Sequence, residues 1–272
     1  MRTEVMGAHL IHLRACGRVA PRRWDAGHVA VLALDTSAAV AVALTDDAGV
    51  TLSARSVQEH RRHAELLAPM IVDVLADARM DRSAVTAVVV GTGPAPFTGL
   101  RVGLVTARTV ALALQIPVHG VCSLDALAAQ AARELDLVPG TEVLVATDAR
   151  RREVYWARYV VVVGAAAGVD AGAGAPGATV ELVAGPGVET ASALAARGAV
   201  AGAVVVGRGA VLYPADLPLT PGAPLDPDPA ELVRLMLARS AGGAGAGVGG
   251  TEPLYLRRPD VVPPTERKRA LA

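Results

Sequence analysis

Apolar and polar positions along this chain change period several times, and each change marks an element. From residue 29 the stretch VAVLALDTSAAVAVALTDD reads as a strand, a tight break at Asp35-Thr36-Ser37 and a return strand. Asp46-Asp47-Ala48-Gly49 then turns the chain into a third strand over residues 50–57. In HAELLAPMIVDVLADA the residues Leu67, Met70, Ile71, Val74, Leu75 and Ala78 recur at helical spacing, and Pro69 among them predicts a kink or a later start. Residues 87–90 form a short buried strand ending at Gly91. The turn GTGPAPFTG feeds a second helix over residues 99–114, with Thr98 placed to cap it. Residues 117–121 read as strand and 123–135 as helix. A meander followed by crossovers through helices predicts a mixed sheet.

The second half echoes the first. Residues 142–147 read as a strand, Asp148-Ala149-Arg150-Arg151-Arg152 as a turn, and 153–163 as a long return strand. The run GAAAGVDAGAGAPGA is expected to be a mobile surface loop. A strand near 179–184, a helix near 189–196, a strand at 203–206 and a helix near 229–240 follow. AGGAGAGVGG reads as a linker, and the tail ends in a charged ERKR segment. Two halves that each open on strand, Asp-bearing turn and strand suggest a duplicated α/β fold of the actin, sugar-kinase and Hsp70 kind, with two mixed-sheet domains flanked by helices. The expected division is an extension over 1–28, a first domain over 29–137, a smaller second domain over 138–240, and a linker and tail over 241–272.

Composition narrows the function. The 272 residues are 52% apolar and 19% charged, enough for buried cores and unlike a disordered chain. Twenty-six basic residues balance 26 acidic ones, which excludes a basic nucleic-acid grip spread over the whole surface. Aromatics make up only 3%, so base-stacking platforms are not expected. Cys16 and Cys122 are too few for a disulfide framework or a zinc site and fit a reduced, cytoplasmic setting. No uninterrupted apolar run of about 18 residues predicts a membrane span. Residues 1–28 lack the continuous apolar region of a signal peptide and read as a floppy extension or an upstream start.

The candidate chemistry is sparse. Asp35, Thr36 and Ser37 stand where duplicated kinases set a phosphate-binding hairpin, yet Ala38 and Ala39 follow where glycine would let a phosphate approach. Satisfying the hairpin's own backbone is the competing role. The matching turn at Asp148 also lacks glycine, although its three arginines can meet an anion from the side. GTGPAPFTGLRVG is neither a phosphate-binding Walker loop nor a dinucleotide fingerprint. Its regularity is the spacing of Gly99, Gly103, Ala107 and Ala111, a small-residue ridge for close helix approach, either inside the fold or against a partner. His60 and His63 beside Glu59 lack a third metal ligand nearby and read as a solvated helix start.

LALDTS, HAELLAPMI, GTGPAPFTGLRVG, ATDARRREVYWARY and PLYLRRPD, in this order, resemble the TsaB family, bacterial accessory subunits required for threonylcarbamoyladenosine modification of tRNA. The family usually has Gly-Ser where this chain has Ala95-Pro96. The resemblance implies an actin-like fold and a catalytic partner, the TsaD-type subunit, with a TsaE-type ATPase recruited and tRNA reached through the complex. It implies no catalytic residue and no cofactor of its own, with ATP or ADP at the subunit interface left open. The metal-binding His pair of TsaD would fall at Ser123 and Leu127, and neither replaces histidine. The family's partner contacts map onto His63, Leu67, Met70, Ile71, Val74, Phe97, Gly99, Arg101, Val102, Gly103, Thr106 and Ala107. Whether the isolated chain is a monomer or pairs with itself through the same helices is left open by the sequence. Two other readings are a stand-alone kinase or ATPase using Asp35 and Asp148, and a metallopeptidase, whose ligands the sequence lacks.

Overall fold

The computed structural model describes residues 29–59, 62–163, 178–241 and 249–257. The 1–28 extension, His60, the low-complexity run at 164–177 and the ERKR tail lie outside the described residues.

Strands β1 (Ala30–Asp35), β2 (Val40–Asp46) and β3 (Thr51–Val57) form an antiparallel meander, with β4 (Val85–Gly91) and β5 (Val118–Val121) added in parallel to β1. The sheet order is β3-β2-β1-β4-β5. The second sheet has β6 (Glu142–Asp148), β7 (Glu153–Val163) and β8 (Ala178–Thr190) as a meander, and β9 (Ala203–Val206) parallel to β6, in the order β8-β7-β6-β9. Its order repeats that of β3-β2-β1-β4. The duplicated actin-like architecture is therefore present in the topology.

Both sheets are covered on both faces, which is why their strands read as nearly continuous apolar runs. Leu32 and Leu34 of β1 face a core shared with helices α1 (His63–Asp77) and α2 (Phe97–Leu114), while Val31 and Ala33 face the opposite way. In the second sheet Val143 and Val145 pack on helix α3 (Ser123–Glu134). Leu144 and Ala146 face α4 (Ala191–Ala196) and α5 (Arg208–Leu212).

Sequence order and packing part company at two helices. α3 precedes the second sheet but contributes Leu124, Leu127 and Ala131 to that sheet's core. Helix α6 (Pro229–Ala241) follows it, yet Leu232, Val233 and Met236 cover the first sheet against Val31, Ala33 and Val89. The two helices cross and are tied by polar bonds: Arg133 donates to Glu231 at 2.5 Å, and Arg239 donates to Asp125 at 2.6 Å.

Several local expectations are corrected. α1 runs unbroken from His63 through Pro69; Glu65, whose carbonyl Pro69 cannot serve, is exposed, so that carbonyl is not sealed in the core. α2 begins at Phe97, so Thr98 lies inside it, and its N-cap Pro96 supplies no side-chain bond. β8 extends to Thr190 because β7 pairs with it along its whole length, and Thr190 caps α4 by accepting from the N–H of Ala193. The short α5 and a 3-10 turn at Arg82–Ala84 are too brief to show a period in sequence. Among the described residues one helix, α2, is long and apolar enough to cross a membrane by length and composition alone, and it packs against β4 and β1.

Candidate functional site

The turn after β1 is a closed knot. Asp35 is 1% exposed, and its Oδ2 accepts from Ser123 Oγ at 2.6 Å. Its Oδ1 accepts from the N–H of Ser37 at 2.8 Å and from the Ser37 hydroxyl at 2.6 Å. Ser123 Oγ accepts in turn from the N–H of Gly93 at 3.2 Å. A Cβ on Gly91 would stand 2.0 Å from Asp35 Oδ2, so the carboxylate occupies the space that glycine leaves. Burial raises the Asp35 pKa above the ordinary carboxylate value, against the lowering effect of the Ser123 and Ser37 hydrogen bonds. Thr36 Oγ1 donates to the carbonyl of Gly99 at 2.9 Å.

These bonds join the end of β1, the glycine-rich loop and the start of α3. Of the two roles that the sequence leaves open for Asp35, Thr36 and Ser37, phosphate binding and satisfying the chain's own polar groups, the bonds made here are of the second kind. Asp148 lies in the hairpin of the other half, where it accepts from the N–H of Arg150 at 2.7 Å and pairs with its guanidinium at 3.2 Å. The carboxylate whose field reaches Asp35 is Asp226, not Asp148.

The small-residue ridge also faces inward. Gly99, Gly103, Ala107 and Ala111 are buried, and a Cβ on Gly103 would meet Thr36 Oγ1 at 2.3 Å. Gly99 lies against His63 Nε2 and the carbonyl of Thr36. Gly99, Gly103 and Ala107, expected at a partner surface, are packed within the chain here, where their small size lets α2 approach β1 and α1. Leu67, Met70 and Val74 are likewise core residues, packed with Leu100 and Leu104. His63, Ile71, Val102 and Thr106 are half-buried along the seam between α1 and α2, and Phe97 and Arg101 are exposed.

The uncovered face of α2 lies on the opposite side from the ridge. Val105 is 60% exposed and Leu112 79%, and Val72 on α1 is 65% exposed. A groove of about 500 Å³ runs between the helices, lined by Ala64, Phe97, Thr98, Arg101, Val102, Val105 and Thr106. Val72, Val105 and Leu112 were missed in sequence. The signal was available, since Phe97, Arg101, Val105 and Leu112 form a second helical stripe across the helix from the ridge.

The C-terminal segment 249–257 straps this arrangement down. The N–H of Leu254 donates to the carbonyl of Thr92 at 2.9 Å, and Gly120 donates to Gly249 at 2.9 Å. Arg108 donates to the Thr251 hydroxyl at 2.7 Å and pairs with Glu252 at 2.9 Å. Tyr255 stacks on Phe97 with ring centroids 5.1 Å apart, and the Arg101 guanidinium sits 3.7 Å over the Phe97 ring. Arg101 also donates to the Tyr255 hydroxyl at 2.8 Å.

Among the described residues no three His, Cys, Asp or Glu side chains are grouped to hold a metal ion. Burial pushes the Cys122 thiol up to about 12, which keeps it protonated and unreactive at neutral pH. Ser123 is spent on Asp35, and Leu127 is in the core.

The family model described as TsaD, tRNA N6-adenosine threonylcarbamoyltransferase, matches residues 56–201. YeaZ from Pseudomonas aeruginosa superposes with a TM-score of 0.63 at 33% identity, covering 84% of this chain and 100% of that one. The chain belongs to the TsaD family, in its TsaB branch. The TsaB protein of Escherichia coli, named for tRNA threonylcarbamoyladenosine biosynthesis, is 38% identical over 130 residues, 47% of this chain and 54% of that protein. A Mycobacterium tuberculosis protein of uncharacterized function is 46% identical over 160 residues, 54% of this chain and 72% of the relative. A Mycobacterium leprae relative is matched over only 35% of its length.

Proposed function

We propose that this chain is a non-catalytic subunit of the machinery that forms N6-threonylcarbamoyladenosine in tRNA. It binds a TsaD-type catalytic subunit through the α1/α2 face, helps recruit a TsaE-type ATPase, and meets tRNA through the complex in the cytoplasm. The observation that carries this reading is the apolar stripe of Val105, Leu112 and Val72, left uncovered on helices whose other faces are packed. Such a stripe stabilises an assembly when a second helix pair covers it. The groove beside it, with Phe97 and Arg101 at one end, gives that pair a seat. The Asp35 knot speaks against a stand-alone kinase or ATPase, because a carboxylate committed to Ser37 and Ser123 is not offered to a metal or phosphate.

The test is to mix the chain with its cognate TsaD-type subunit, measure mass by light scattering after size exclusion, and assay tRNA threonylcarbamoylation with and without it. A one-to-one complex and loss of modification on omission are the expected results. No complex, together with ATP turnover by the isolated chain, would overturn the reading. The isolated chain is expected to pair with itself through the same stripe and to exchange that contact for the catalytic subunit.

A further inference from the structure

Phe97, Arg101, Val105, Arg108 and Leu112 are all exposed on α2. Their spacing along the helix confines them to about 80° of its circumference, so they form one narrow face. A helix laid on Val105 and Leu112 would meet the other three as well. Packed helices lie about 8–10 Å apart axis to axis, which leaves no room for a third segment between them. Yet the C-terminal strap already holds three of the five positions. Tyr255 stacks on Phe97 and accepts from Arg101, while Thr251 and Glu252 accept from Arg108.

The strap is held in two different ways. Its backbone is pinned to parts of the molecule other than α2. Gly120 donates to Gly249, and a Cβ on Gly120 would stand 2.4 Å from the carbonyl oxygen of Gly250, so the two backbones meet with nothing between them. The N–H of Leu254 bonds to Thr92, and beyond it Arg257 bonds to the carbonyl of Ala149 and pairs with Glu153. The hold on α2 is looser. The Arg108 and Glu252 side chains are 45% and 87% exposed, and an ion pair so open to water contributes little. Tyr255 is half-buried and reaches α2 through its side chain alone. Glu252 and Tyr255 can therefore leave α2 by turning their side chains while the strap backbone stays in place.

We propose that the strap is an autoinhibitory cover on the exposed face of α2. In the free chain Tyr255 and Glu252 occupy Phe97, Arg101 and Arg108, and a partner helix binds the form in which both have swung away. The identity of that partner rests on the reading given under Proposed function; the cover itself rests on the strap contacts. Apparent affinity for the partner is lowered by the fraction of chains that are covered.

The test is to titrate the full chain and its Glu252→Ala, Tyr255→Ala double variant with the TsaD-type subunit, and to measure the self-association of each alone by sedimentation equilibrium. The variant is expected to bind the subunit at least threefold more tightly and to self-associate more strongly. Unchanged or weaker binding of the subunit would overturn the cover, since a strap outside the interface has no effect and a strap that helps form it weakens binding when cut back. If neither protein bound the subunit, the partner reading would fall, and self-association would decide the cover: a rise in the variant sustains it, and no rise overturns it. Should the double variant unfold, Glu252→Gln, on a side chain that is 87% exposed, replaces it in the same comparison, with a smaller gain expected and no gain overturning the proposal.

Discussion

Gly103 on α2 and Thr36 after β1 touch so closely that a Cβ on the glycine would lie 2.3 Å from the threonine hydroxyl oxygen. That hydroxyl is not free to turn aside, because it donates to the carbonyl of Gly99 one turn earlier on the same helix. The glycine thus sets the distance between the helix and the end of the central strand β1.

Gly103→Ala is expected to destabilise the monomer by about 1–3 kcal/mol through overpacking, partly offset by roughly 1 kcal/mol of better helix propensity. Urea unfolding of the isolated chain checks this. A leucine there should lose the fold together with any partner binding. If Gly103→Leu unfolded at wild-type urea concentrations, the contact with Thr36 would not be a constraint.

Asp35→Ala removes the acceptor of three hydrogen bonds and leaves the Ser37 and Ser123 hydroxyls without it. Buried donors left unpaired cost about 1–3 kcal/mol. The variant is expected to melt lower by a margin that Asp148→Ala, in a more exposed turn, does not reproduce. Equal losses in the two variants would show that the knot contributes nothing special.

The pH dependence of the same residue has a definite sign. Its folded-state pKa lies above the ordinary 3.8 because of burial, so the folded chain keeps a proton that the unfolded chain releases. Its contribution is complete below 3.8 and is lost as pH rises through the elevated value. The stability of the wild type relative to Asp35→Asn should fall as pH rises across that window and level off above it. Denaturant midpoints of both proteins at a series of pH values give the difference, and a rise in place of a fall would mean that the hydrogen bonds outweigh burial.

Val105→Glu places a charge on the exposed stripe of α2 without touching the core, since Val105 is 60% exposed. It should leave the melting temperature within the small range of surface substitutions. Affinity for the TsaD-type subunit, read by titration, is expected to drop by tenfold or more. Unchanged affinity would move the docking face elsewhere.

Much of the fold was legible in the residues. The Asp-bearing turns, the apolar strand runs and the α1 and α2 patterns follow from local sequence, and β7 and β9 occur over the expected residues. Thr98 misled because hydroxyl residues are common helix caps, yet here Pro96 presets the backbone and the helix starts ahead of Thr98. The exchange of α3 and α6 between the sheets was illegible for a different reason. Each carries an apolar face that fits either sheet, and which sheet it covers depends on contacts far apart in the chain, such as Arg133 with Glu231.

The candidate site divides along the same line. Residue types and spacing in this chain were enough to mark the glycine-rich loop, the small-residue ridge and the family they belong to. They left open which way the ridge faces, because a helix shows the same four-residue spacing whether its small side meets a sheet or a second molecule. Packing settles that direction: Thr36 stands against Gly103, so the small side is buried and the stripe through Val105 and Leu112 is left to the outside. The role of Asp35 was undetermined for the same reason. An aspartate in a turn can serve a ligand or the protein, and the hydroxyl that decides it, Ser123, is 88 residues away along the chain.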